Sequence, residues 1–187
     1  VEDLEHAKIG VQLGTTGDTY VSDEFKDATI QEFNKGADAI QSLKQGKVDC
    51  VVIDELPAKS FVDINSDLSI LDEEFTKEEY AITVAKENTE LLDKINAAID
   101  ELQKDGTADK IISSYINDED AGYHYESPED ADRSNGTLVM ATNAAFEPYE
   151  YVEDGKIVGI DPDLAQAIAD KLGMNLKIED MEFDSVI

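Results

Sequence analysis

Short apolar runs alternate with stretches of helical period along the first sixty-five residues, and no other feature limits so strongly what this chain can fold into. "KIGVQL" reads as a strand, "TYVSDEFKD" as a short helix and "ATIQEFN" as a second strand. "ADAIQSLKQGK" follows as a helix with Ala39, Ile40 and Leu43 on one face and Gly46 as its stop. "VDCVVIDE" is a continuous apolar run of the kind that forms a strand buried on both faces, and "ELPAKSFVDIN" is helix-like again. Such alternation predicts an α/β fold around a parallel sheet, because parallel neighbours need a crossover and a helix supplies it.

Beyond this unit, "LSILDEEFTKEEYAITVAKEN" holds two strand-like runs, the second being "EYAITVAK". In "NTELLDKINAAIDELQKDG" the residues Leu91, Leu92, Ile95, Ala98, Ile99 and Leu102 form one apolar stripe, which predicts an amphipathic helix with a core face. Gly106 interrupts it and "TADKIISSYI" resumes as helix. Residues 117–136, "NDEDAGYHYESPEDADRSNG", are acidic and turn-rich without a sustained period, and read as a linker. A second α/β start follows it. "TLVMATNAAFEPYEYV" is strand and loop, "DGKIVGID" a turn and short strand, "PDLAQAIADKLGM" a helix and "NLKIEDMEF" a strand. Asp161 is placed to cap that helix and Pro162 to fill its first turn.

Composition narrows the partners. Acidic residues number 44 against 15 basic ones, a formal net charge of −29, so the surface repels nucleic-acid phosphates and anionic lipid heads alike. No apolar run is long enough to span a bilayer, and the first residues lack the order of a signal peptide, so an exported form would have lost its leader. The single cysteine, Cys50, sits in an apolar run and reads as a small buried hydrophobe. Two distant histidines, His6 and His124, make no metal pattern, and no cofactor motif is present. No serine lies in a G-x-S-x-G elbow, and no acid–base pair can be named, which points away from an enzyme.

Two places carry chemistry. The turn Gly14, Thr15, Thr16 and Gly17 follows a strand and opens a helix, so its amides, hydroxyls and helix dipole suit an anion, although ordinary helix capping uses the same residues. A nucleotide loop would place lysine after the second glycine, where Asp18 stands. Asp54 ends an apolar strand, either as a carboxylate at the ligand-binding edge of a parallel sheet or as the cap of the next helix.

These segments together resemble the amino-acid-binding extracytoplasmic solute-binding proteins of ATP-driven (ABC) importers, a family of two α/β lobes around a ligand cleft. "GTLVMATNAAFEPYEYVEDGKIVGIDPDLAQAIADKLGMNLKIEDMEFDSVI" resembles the beginning of lobe one, and "VEDLEHAKIGVQLGTTGDTYV" through "GKVDCVVIDELPAKSF" resembles lobe two. The order is the reverse of the family's, so the resemblance implies a circularly permuted chain in which part of lobe one is lacking. It divides the sequence into 1–80 as lobe two, 81–116 as the return toward lobe one, 117–136 as the linker and 137–187 as the first part of lobe one.

The resemblance also implies roles. The Gly14–Gly17 turn would receive the ligand's α-carboxylate and Asp54 its α-ammonium group. Asn143 would meet the ligand side chain and Phe146 would pack against it, with Phe183 at a second aromatic position, although core packing is the alternative for each phenylalanine. The family's carboxylate-binding arginine belongs to the lacking stretch, and Arg133, in the linker, is the only arginine here. The implied partners are a polar amino acid and an importer permease, in a periplasmic or extracellular, lipid-anchored setting. An alternative is a permuted fragment that completes lobe one by self-association and binds no ligand tightly.

Overall fold

The computed structural model describes residues 4–72, 77, 79–116 and 122–186, which fold as two compact units. The first comprises residues 1–79 with 145–147 and 181–187, and the second comprises 80–144 with 148–180.

In the first unit, β1 (Lys8–Gln12) lies between β2 (Thr29–Phe33) and β3 (Cys50–Val51), parallel to both. Ile9 and Val11 of β1 are fully buried, as the central strand of a sheet covered on both faces requires. Helices α1 (Thr16–Glu24) and α2 (Gly36–Lys44) pack on β1, where Val21 and Phe25 join Ile9 and Val11 in the core. Helix α3 (Glu55–Ile64) follows β3. The alternation in the sequence thus gives the parallel sheet it predicts. One strand differs. "VDCVVIDE" contributes only the two half-buried residues of β3, because β1 takes the middle of the sheet and β3 has a ladder on one side alone. Cys50 is accordingly half-buried against the core, and burial, with Asp49 beside it, pushes its thiol pKa up.

The second unit is organised by the stripe on α4 (Thr89–Lys104). Ile95, Ala98 and Leu102 pack against Ala108 and Ile111 of α5 (Thr107–Ile116) and against Ile160, Ala167 and Ile168 of α6 (Ile160–Leu172). Gly106, at φ 81°, makes the break between α4 and α5. The carboxylate of Asp105 receives hydrogen bonds from Thr107 at the start of α5 and from Lys171 of α6, which hold its pKa down at about 2. β4 (Thr137–Thr142) and β8 (Asn175–Asp180) run parallel, with Thr137 opposite Asn175 and Thr142 opposite Asp180. β5 (Ala145–Phe146) lies in the stretch of chain that belongs to the first unit. β6 (Glu150–Glu153) and β7 (Lys156–Val158) form a hairpin whose two loop residues, Asp154 and Gly155, both have positive φ, the geometry of a tight hairpin turn.

"EYAITVAK" forms no strand. Its described residues carry no strand assignment, with Tyr80 and Ile82 more than half exposed and the Tyr80 ring 4.5 Å from that of Tyr149. An alternating pattern supplies the side chains of a strand without supplying the adjacent edge that a strand needs. The described part of the earlier strand-like run, 68–72, is likewise without strand structure, and 73–76 lie outside the described residues.

The acidic connector is irregular but docked. Residues 117–121 lie outside the described residues; from Tyr123 onward the chain packs on α5 and α6. The Tyr125 amide donates to Asp163 at 2.9 Å and its hydroxyl to Asp170 at 3.2 Å, while Arg133 donates to Asp170 at 2.6 Å and to the Met174 carbonyl. Burial and the Asp170 charge raise the Tyr125 hydroxyl pKa to about 12.

Candidate functional site

Seven of the eight predicted site residues belong to the first unit: Gly14, Thr15, Thr16, Gly17, Asp54, Phe146 and Phe183. Asn143, 4% exposed, belongs to the second.

The turn and Asp54 share an edge because β1 and β3 run parallel, so both chains leave the sheet at their carboxyl ends on the same side. Gly17 confirms the closeness: a methyl group added there would stand 3.4 Å from Val52 Cγ1, two residues before Asp54. A methyl at Gly14 would meet the Phe183 ring at 3.9 Å, so this aromatic ring stands beside the turn. Gly14 itself has φ 79°, a left-handed conformation that favours glycine. The Glu147 carbonyl, next to Phe146, accepts a 3.5 Å hydrogen bond from Ser60 of α3, the helix that Asp54 precedes.

The turn is a helix cap in its internal bonding. Thr15 is the N-cap residue of α1; its hydroxyl donates to the Gln12 carbonyl at 2.8 Å and accepts from the Asp18 amide at 3.2 Å. The Asp18 carboxylate, buried, reaches back to accept from the Gly14 amide at 2.9 Å and from the Ser22 hydroxyl at 3.3 Å. One amide of the predicted anion site therefore already serves an internal carboxylate. Those of Thr16 and Gly17, in the first turn of α1, have no acceptor within the helix. Thr15→Ala is expected to cost about 1 kcal/mol. Urea unfolding would show it as a lower midpoint with unchanged slope.

Asp54 takes the N-cap position of α3, where its carbonyl accepts from the Ala58 amide but its carboxylate makes no cap hydrogen bond. The carboxylate at the sheet edge is thus not consumed by the capping that the sequence allowed as the alternative.

Reasoning from sequence missed Asp18, though T-x-x-D is the signature of a capping box. It also missed Glu150, and it placed Asp161 wrongly. Gly159, at φ 132°, is the N-cap residue of α6; Asp161 lies inside the first turn with its amide bonded to the Tyr149 carbonyl, and Pro162 follows it. Burial first, then the Asp161 charge, raises the pKa of Glu150, which is 8% exposed, to about 9.

Comparison with known proteins places this arrangement. The sequence pattern of the bacterial extracellular solute-binding proteins, family 3, matches residues 21–118 and 138–187. The chain belongs to that family. Two separate stretches match one family pattern, as two family segments joined by a connector require. Among relatives of this family member, the L-cystine-binding protein TcyJ of Escherichia coli (strain K12) is 32% identical over 116 residues, covering 62% of this chain and 44% of that protein. An ancestral arginine-binding protein solved with arginine is 42% identical, with a TM-score of 0.59 over 62% of this chain and 53% of that one. Holo ArgBP from T. maritima is also 42% identical, with a TM-score of 0.53 over 55% and 45% of the two chains. This chain thus spans about half the length of the relatives it matches.

Proposed function

We propose that this chain is a non-catalytic amino-acid-binding module of a periplasmic or extracellular importer system, and that its first unit carries the recognition of the ligand's zwitterion. The observation that carries the reading is the shared sheet edge, where the threonine turn and the Asp54 carboxylate stand together with Phe183. The amides of Thr16 and Gly17 and the Thr16 hydroxyl suit an α-carboxylate, and Asp54 suits an α-ammonium group. Phe183 and Phe146 offer apolar wall for a side chain. The relatives' names, for cystine and for arginine, support a free amino acid of polar character as the ligand, delivered to a membrane permease.

Calorimetric titration with cystine, arginine, glutamine and the remaining amino acids tests this reading. One polar amino acid is expected to bind, and Asp54→Asn is expected to weaken it about 10- to 100-fold by removing one charge-assisted hydrogen bond. Heat from none of them would overturn the proposal for this chain.

A further inference from the structure

The ligand edge of the first unit carries more negative charge than a carboxylate site favours. Asp18 is buried in the turn, where its carboxylate accepts from the Gly14 amide at 2.9 Å, and Asp54 stands at the start of α3. A methyl on Gly14 would stand 3.8 Å from Asp184 Cβ, so a third acidic residue lies beside the turn. These three repel an incoming α-carboxylate, and the amides of Thr16 and Gly17 carry only partial charge. A cation is needed to offset them, and Arg133 is committed to Asp170 in the second unit.

The parallel topology decides which residue can supply it. Strands end and helices begin at the ligand edge, whereas strand starts and helix ends gather at the opposite one. Lys8, at the start of β1, Lys26, after α1, and Lys44 and Lys47, around the end of α2, fall on that opposite edge, and Lys59 pairs with Glu55 within α3. Among the described lysines on or flanking these helices and strands, Lys35 alone follows the carboxyl end of a strand. The Leu13 amide donates to the Phe33 carbonyl at 2.8 Å and the Gln12 side-chain amide to the Asn34 carbonyl at 3.2 Å, so the chain arrives at Lys35 beside the turn. A methyl on Gly36 would stand 2.7 Å from Ile53 Cδ1, so the residue after Lys35 lies against the residue before Asp54. Lys35 is exposed, and among the described residues its ammonium has no ion-pair partner.

Lys35 also breaks the local rule for its place. It is the N-cap residue of α2 and makes no side-chain cap hydrogen bond, where serine, threonine, asparagine or aspartate would bond the first amides and where a cation meets the positive end of the helix dipole. A residue that costs local stability without a local return points to function.

We propose that Lys35 is a ligand-binding residue whose ammonium pairs with the α-carboxylate of the bound amino acid at the Gly14–Gly17 turn, while Asp54 takes the α-ammonium group. This assignment rests on the zwitterion site proposed above. Neighbouring strands lie about 4.8 Å apart, a gap within reach of the lysine's flexible four-carbon stem. The ligand then lies across the sheet edge, carboxylate toward β2 and ammonium toward β3, in the strand order β2-β1-β3. That orientation selects a free amino acid over one whose carboxyl group is blocked.

Calorimetric titration of the original chain, Lys35→Ser and Lys35→Arg with arginine, glutamine and their α-carboxamides is the test. Lys35→Ser is expected to weaken the amino acids about tenfold and to leave the α-carboxamides unchanged, while Lys35→Arg keeps the original affinity. The loss of amino-acid affinity on adding salt is expected to be smaller in Lys35→Ser, because one screened ion pair is gone. In urea the same serine variant is expected to unfold at a higher midpoint, since serine can cap α2, which separates lost binding from lost folding. Amino-acid affinity and salt dependence unchanged in Lys35→Ser, or equal weakening of amino acids and α-carboxamides, overturns the assignment of Lys35 and leaves the zwitterion site standing. No heat from either amino acid with the original chain overturns both.

Discussion

Gly159→Ala is expected to destabilise the second unit by about 3–5 kcal/mol, combining backbone strain with a clash that side chains cannot relieve. Gly159 has φ 132°, and a methyl there would stand 2.2 Å from the Tyr149 carbonyl oxygen and 2.9 Å from that of Pro148. Both carbonyls are fixed by the amides they serve, Pro148 by Ile160 and Tyr149 by Asp161. The helix start and the β6 approach both depend on this one backbone path. Chemical unfolding followed by circular dichroism would register the loss; a change below about 1 kcal/mol would show that the path yields.

Leu102→Ala should cost about 2–5 kcal/mol, since the side chain is 1% exposed and alanine would leave a cavity among Ile95, Ala98 and Ile111. Leu92→Ala on the same helix, at a leucine 40% exposed, should change stability by no more than about 0.5 kcal/mol. Calorimetric melting of the two variants distinguishes a stripe whose members contribute equally from one centred on Leu102. Equal shifts would contradict the packing described.

Much of the architecture was legible because it rests on period. The stripe on α4, the helical stretches of α1, α2 and α3 and the Asp-Gly turn with the short strand after it follow from local spacing and turn chemistry, and the structure forms each of them. What was illegible depends on neighbours. The "VDCVVIDE" run has the apolar content of a central strand, yet β1 holds that place and β3 keeps two residues. "EYAITVAK" has alternation but no partner edge. The threonine turn was legible as a cap or an anion site, and its bonding shows the cap directly. Glu150 gave no sign, because nothing in "PYEYVED" distinguishes a solvent-facing glutamate from a buried one. Asp161 misled for a related reason: aspartate before proline suits a helix cap, but the carbonyls of Pro148 and Tyr149 already take the amides at that end.

The docked connector changes what the seam between the two family segments is. Its grips, at Tyr125 and Arg133, fall on Asp163 and Asp170 of a single helix, seven residues and therefore about 10 Å apart along the axis. A splice anchored on both sides behaves as a brace: the chain ends it joins are held in place by α6 itself. The stretch between the grips can then vary in length at a cost that grows only logarithmically, while the grips cannot move without dragging the helix. In a chain of net charge −29, its one guanidinium has been committed to that splint.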